Sequence, residues 1–223
     1  MKLVNPMTTG SRTQQGLYDP AYEHDSCGVG LVAHIKGLPS RAIVDDAYTI
    51  LQSMEHRAGV GAQPNSGDGA GILTALPYDF LARVVPESLG IEIPPAGALG
   101  VGLVFLPRDL KERTLCKQTV ESLIAEHGQQ LLGWRVVPVA PDAADLGTAA
   151  KLTEPYSEQL LVAAGSGLDQ DTFERQLYLI RKAASHRLRT VASLSQSKMF
   201  YICSLSSRVL IYKGMLRTLQ LMD

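Results

Sequence analysis

Cys27-Gly28-Val29-Gly30-Leu31-Val32-Ala33-His34-Ile35 follows a short polar stretch, and its reading decides the fold. Val29, Leu31, Ala33 and Ile35 alternate as in a strand with one buried face. Gly28 and Gly30, on the other face, leave the backbone beside Cys27 bare and open to a ligand. A cysteine that becomes the first residue of a mature chain carries nucleophile and base together. Its thiol attacks a carbonyl while its own α-amino group, with a reference pKa of about 7.7–8.0, takes the proton. Taken alone, cysteine is among the most buried residue types, so the role of Cys27 depends on what surrounds it.

Outward from this segment, residues 1–26 read as a leader, broken by Pro6, Gly10, Gly16 and Pro20 and lacking the apolar core of a secretory signal. Ser40 is placed to cap a helix over 41–56, with Ile43, Val44, Ala47, Ile50, Leu51 and Met54 on one stripe. A glycine-rich loop, Gly59 to Gly71, runs into a strand over 72–76. Further strands are expected over 101–106, 131–140 and 159–163. A helix over 109–127 should stop at Gly128, and one over 172–188 should start with Asp171 and Glu174 in capping-box spacing. Residues 199–204 and 208–212 read as a hairpin through Leu205-Ser206-Ser207. Strands and helices mix without regular alternation, which predicts an α+β layered fold.

The chain has 223 residues, 45% hydrophobic, with a formal net charge of −1. That is enough to bury a sizeable core, and there is no basic excess for nucleic acid. No run of about 18 apolar residues marks a membrane span. Cys27, Cys116 and Cys203 are far apart and form neither a disulfide framework nor a CxxC pair, so a reducing cytoplasm is expected. Cys116 and Cys203 read as core residues.

Arg57 closes Glu55-His56-Arg57 at the end of the first helix. It is either a cation suited to a helix C-terminus or a guanidinium fork for a substrate carboxylate. Asp68, in Ser66-Gly67-Asp68-Gly69, is either a turn former or a partner for a substrate amine. The five histidines have no metal-like spacing, and neither glycine-rich stretch matches a phosphate loop.

Taken together, Cys27-Gly28-Val29-Gly30, Glu55-His56-Arg57 and Ser66-Gly67-Asp68-Gly69-Ala70-Gly71 resemble the glutaminase domain of glutamate synthase large chains. Gly133-Trp134-Arg135-Val136-Val137-Pro138-Val139, the segment 200–208 and Ile211-Tyr212-Lys213-Gly214-Met215 are similar to later parts of that domain. The resemblance implies a class II glutamine amidotransferase with an N-terminal nucleophile hydrolase fold, a four-layer αββα sandwich, incomplete here. It also implies two regions: a leader over 1–26 and the N-terminal part of the amidotransferase domain over 27–223. Cys27 would be the nucleophile, with its freed α-amino group as base. Arg57 would bind the α-carboxylate of L-glutamine, and Gly67, Asp68 and Gly69 would form a supporting loop. Ala58 stands where the family more often has Gly.

The family's oxyanion is held by an Asn-Gly pair, and none occurs here; the asparagines are Asn5 and Asn65. Its FMN and 3Fe-4S cluster would lie on domains absent from this chain, as would contacts to a small electron-donor subunit. The expectation is a truncated enzyme segment, inactive alone and active only in the complete protein, with a non-catalytic remnant or partner-dependent binding module as the alternative.

Overall fold

The computed structural model describes residues 16–17, 19, 27–57, 65–67, 69–191, 194–196 and 199–221. In chain order these form α1 (Arg41–Ser53), a 3-10 turn (Glu55–Arg57), β1 (Ala70–Ala75), α2 (Tyr78–Leu89), β2 (Leu99–Leu106) and α3 (Leu110–Glu126). They continue with β3 (Gln130–Val136), α4 (Thr148–Thr153), β4 (Tyr156–Ala163), α5 (Gln170–Arg189), β5 (Tyr201–Ile202), β6 (Val209–Gly214) and a 3-10 turn (Thr218–Leu221).

β2 and the second half of β4 are apolar on both faces, and this organises the packing. They pair antiparallel from Leu99 opposite Ala163 to Leu106 opposite Tyr156, within a sheet ordered β3-β4-β2-β5. Val104, Leu106, Leu160 and Val162 face α3 and α5, where they meet Cys116, Val120, Leu123, Phe173, Leu177 and Ile180. Gly100 admits α5: a Cβ there would lie 2.7 Å from Leu177 Cδ1 and 3.1 Å from Phe173 Cζ. The opposite face carries Leu99, Val101 and Leu161, packed on Leu81 and Val85 of α2 and Leu210 of β6. β6 pairs antiparallel with β1 in a separate two-stranded ribbon, and α1 contacts β1. The mixed fold with antiparallel sheets follows the expectation.

A polar contact ties ribbon to sheet. Gln159 is fully buried; its Oε1 accepts from Arg135 Nη1 at 2.9 Å and its Nε2 donates to the Tyr212 hydroxyl. Burial pushes the Tyr212 phenol above its ordinary pKa, with Arg135 and Gln159 opposing.

The helix ends follow local chemistry. Ser40 Oγ caps α1 by accepting from Ile43 N at 3.4 Å, and Asp109 caps α3. Past α3, Gly128 takes the left-handed φ of +69° that favours glycine. The α1 stripe is half-buried throughout.

Several expectations change. Residues 29–35 form no strand: Val29 and Leu31 are 88% exposed, because alternation gives a one-sided pattern but no partner strand for its backbone among the described residues. The expected hairpin is two strands in different sheets, β5 on β2 and β6 on β1. Serine hydroxyls redirect the chain between them: Ser206 Oγ accepts from Arg208 N and Val209 N, and Ser204 Oγ accepts from Ile211 N. Cys203 lies just past β5, still buried. The strand expected over 131–140 ends at Val136.

Asp169, not Asp171, caps α5, accepting from Thr172 N at 2.7 Å. Glu174 instead takes Ser206 Oγ, Ser207 N and Ser207 Oγ, while Asp171 pairs with Arg208. α2 escaped the sequence reading; Pro86 inside it masks a helix that buries only Leu81 and Val85. The leader's placement lies outside the described residues, apart from Gly16, Leu17 and Asp19.

Gly100→Ala should destabilise the chain by about 1–3 kcal/mol through overpacking against Leu177, read from the denaturant midpoint. A second outcome concerns acid. Hydrogen bonds from the Ser195 side chain and the Ser195 and Gln196 backbone hold Glu112 below its ordinary pKa of 4.5. Arg187 does so for Glu126, Lys151 for Asp142, and Thr172 for Asp169. Lowered folded pKa values mean that this stability is present above the unfolded pKa and is lost as pH falls through the folded one. The denaturation midpoint should therefore drop from about pH 4.5 downward, and less steeply in Glu112→Gln.

Candidate active site

Cys27 is the exposed cysteine of the three. It lines a cleft of about 790 Å³ with Gly28, Leu51 of α1, Met54 just past that helix, the start of β1, and the cleft-facing side of β6. The period-two alternation of β6 explains that wall. Leu210 and Tyr212 turn to the sheet, while Ile211 and Lys213 border the cleft. Lys213 Nζ sits 4.4 Å over the Tyr201 ring and 3.3 Å from its hydroxyl. Phe105 stands beside Tyr201, their ring centroids 6.4 Å apart. The cleft thus has an aromatic wall with one ammonium anchored on it.

Gly28 lines the cleft beside Cys27, and both glycines also make room for neighbouring side chains. A Cβ on Gly30 would come 2.1 Å from Ile50 Cγ2, and one on Gly28 would come 3.0 Å from Met54 Sδ. Their bare backbone lets the segment lie against α1. Cys27 is thereby held at the end of α1 that leads into the Glu55–Arg57 turn.

Arg57 ends that turn; its side chain lies outside the described residues, as do residues 58–64 and Asp68. The turn itself is anchored, since Glu55 Oε1 accepts from Arg217 Nη2 at 2.6 Å. Gly67 is buried, and a Cβ there would strike the Leu216 carbonyl at 2.6 Å. Gly69 has a φ of +140°, and Gly71 packs on Lys213, with a Cβ meeting Lys213 Cβ at 2.6 Å. Gly67 and Gly69–Gly71 therefore permit close passage of two backbone segments beneath the cleft. Cys27, Gly69 and Gly71 line one cleft; Gly67 lies beside it under Leu216.

Glu55, Tyr201, Lys213 and Arg217 were not singled out as site residues. Glu55, Tyr201 and Lys213 sit in the motif segments quoted above, but no spacing links them to Cys27. Burial pushes the Cys116 and Cys203 thiols up to about 11, so both stay protonated near neutrality. His34 Nδ1 accepts from Leu38 N at 3.2 Å and His127 meets Gln176 at 2.9 Å, both local structural bonds. His24 lies outside the described residues. What the cleft offers chemically is an accessible thiol, a partly apolar wall and a cation nearby, a setting for nucleophilic attack on a carbonyl.

The family model for glutamine amidotransferases class-II matches residues 27–223, beginning at Cys27. The chain is 40% identical over 203 residues to the glutamate synthase [NADPH] large chain of Bacillus subtilis (strain 168), covering 91% of this chain and 13% of that one. It is 38% identical to the ferredoxin-dependent glutamate synthase 2 of Synechocystis, over 97% of this chain and 14% of the relative. Glutamate synthase [NADH] of Schizosaccharomyces pombe is 41% identical, over 97% of this chain and 10% of the relative. The chain thus spans about an eighth of the length of these relatives. With a family match covering every residue from Cys27 onward, the chain belongs to the class-II glutamine amidotransferases.

Proposed function

We propose that Cys27 is the nucleophile that hydrolyses L-glutamine to glutamate and ammonia, once removal of residues 1–26 has freed its α-amino group. The observation that carries this reading is that the family match starts at the one exposed cysteine, at the edge of the cleft. The freed amine takes the thiol proton, and the sulfur attacks the side-chain amide carbon of glutamine. The tetrahedral oxyanion collapses, the amine returns its proton to the leaving nitrogen, and ammonia departs from a glutamyl thioester. Water, activated by the same amine, attacks the thioester carbonyl; glutamate leaves and the thiol is restored.

Arg57 provides a planar fork for the α-carboxylate, a geometry that lysine cannot reproduce. Asp68, between Gly67 and Gly69, is the candidate partner for the α-ammonium. The family's four-layer sandwich is supported by the order of packing: α3 and α5, the four-stranded sheet, the β1–β6 ribbon, then α1.

The ammonia would serve glutamate biosynthesis in a longer cytoplasmic enzyme, with FMN, a 3Fe-4S cluster and a small electron-donor subunit engaged by other domains. Among the described residues no group of three or more His, Cys, Asp or Glu side chains converges that could hold a metal ion. No described helix is long and apolar enough to cross a membrane. The exposure of Val29, Leu31 and Ile35 favours the second reading, a partner-dependent module in which this segment is covered by another polypeptide.

Intact mass after reaction with diazo-oxo-norleucine separates the two. A chain beginning at Cys27 and carrying one label supports the hydrolase; an unlabelled chain beginning at Met1 favours the module. Cys27→Ser should abolish labelling. Arg57→Ala should raise the KM for glutamine about 10–100-fold, the loss of a hydrogen bond to a charged group, with a smaller effect on kcat.

A further inference from the structure

We propose that Arg217 and Gln220 are positioning residues for the glutamine site, one 3-10 turn holding both motif segments that flank residues 58–64. The inference rests on the hydrolase reading for its functional consequence, but its physical basis is independent of it. Arg217 reaches across 162 positions to Glu55, the first residue of the turn that ends at Arg57. Both side chains are about one-third exposed, 36% and 33%, so the pair is partly shielded from solvent.

Gln220 works in the other direction. Its Nε2 donates to Asn65 O at 3.1 Å and to Ala144 O at 3.0 Å, while its Oε1 accepts from Arg217 N at 2.8 Å. These partners fix the amide orientation, since carbonyls require the NH₂ and the backbone N–H requires the oxygen. Gln220 N also donates to Arg217 O at 3.0 Å, so both side chains leave one closed turn. Beside it, Gly67 is pressed onto Leu216 and Arg217 with no space for a Cβ. Thr218 of the same turn is buried and also lines the cleft with Cys27.

The consequence is geometric. The Glu55–Arg57 turn and the Asn65–Gly67 segment keep their separation because one short element grips both, and they carry or flank the proposed carboxylate and amine partners. Fixing beforehand the turn that carries Arg57 lowers the entropy lost on binding. Arg217 acts through Arg57, so loosening it should weaken glutamine binding and spare the reacting thiol.

The test uses the 223-residue chain and its Arg217→Ala, Arg217→Lys, Gln220→Ala and Glu55→Gln variants. Backbone amide exchange, which needs no turnover, should quicken about tenfold or more at 55–57 in Arg217→Ala and at 65–67 in Gln220→Ala, with α3 and α5 unchanged. The glutamine concentration that half-protects Cys27 from diazo-oxo-norleucine should rise about tenfold in Arg217→Ala. The labelling rate at saturating reagent should stay within about twofold, and Arg217→Lys should recover part of the loss. Unchanged exchange at both segments overturns the proposal, as does unchanged half-protection in Arg217→Ala. Exchange that rises throughout α3 and α5 also overturns it, because the role would then be general stability. If wild-type Cys27 is not labelled at all, the hydrolase reading fails, while the exchange profile still decides whether the turn grips both segments.

Discussion

Burial of β2 and β4 on both faces is the constraint on which the rest of the structure depends. A two-stranded ribbon is marginal in water, and β1–β6 is such a ribbon. It persists because Leu210 is buried against Leu99, Val101 and Leu161, on the sheet face turned away from α3 and α5. The cleft is then built on the other surface of the ribbon, under α1. Sheet, ribbon and site form a sequence of dependence, each resting on apolar contact with the one before.

The apolar contact leaves the ribbon's alignment weakly specified, since hydrophobic burial is non-directional. The Arg135–Gln159–Tyr212 chain supplies direction. Gln159 cannot lose either partner without leaving a buried amide group unsatisfied, a cost of about 1–3 kcal/mol. A one-residue slip of β6 would turn Tyr212 to the cleft and Lys213 to the core. The same hydrogen bond that closes the interior therefore keeps Lys213 on Tyr201 at the site wall.

Sequence legibility follows this division. α1, α3, α5 and the doubly buried parts of β2 and β4 were readable because periodicity and continuous apolarity report burial directly. α2, interrupted by Pro86, was not, and the alternation of 29–35 misled because pattern cannot supply a pairing partner. The 199–212 region failed for another reason: sheet assignment is decided by serine hydroxyls turning the chain, a tertiary outcome. At the site, Cys27 was singled out and lines the cleft with Gly28, but the packing of Gly28 and Gly30 was not foreseen. Their missing side chains make room for Ile50 and Met54, atoms that neighbour them only after folding. The Glu55–Arg217 bond, spanning most of the domain, leaves no local trace.

Three cysteines in one chain raise the question of which can react, and the fold answers it by exposure. With thiols pushed up to about 11, Cys116 and Cys203 hold only about one part in ten thousand as thiolate at pH 7. Their burial also denies a substrate access, so neither competes for a carbonyl. Cys27 escapes burial because the segment carrying it is laid over α1 by two glycines instead of being sealed within a sheet. The arrangement that leaves this segment without strand pairing among the described residues also leaves an exposed thiol at the edge of the cleft. Thiol access and incomplete packing at residues 27–35 are two results of one arrangement.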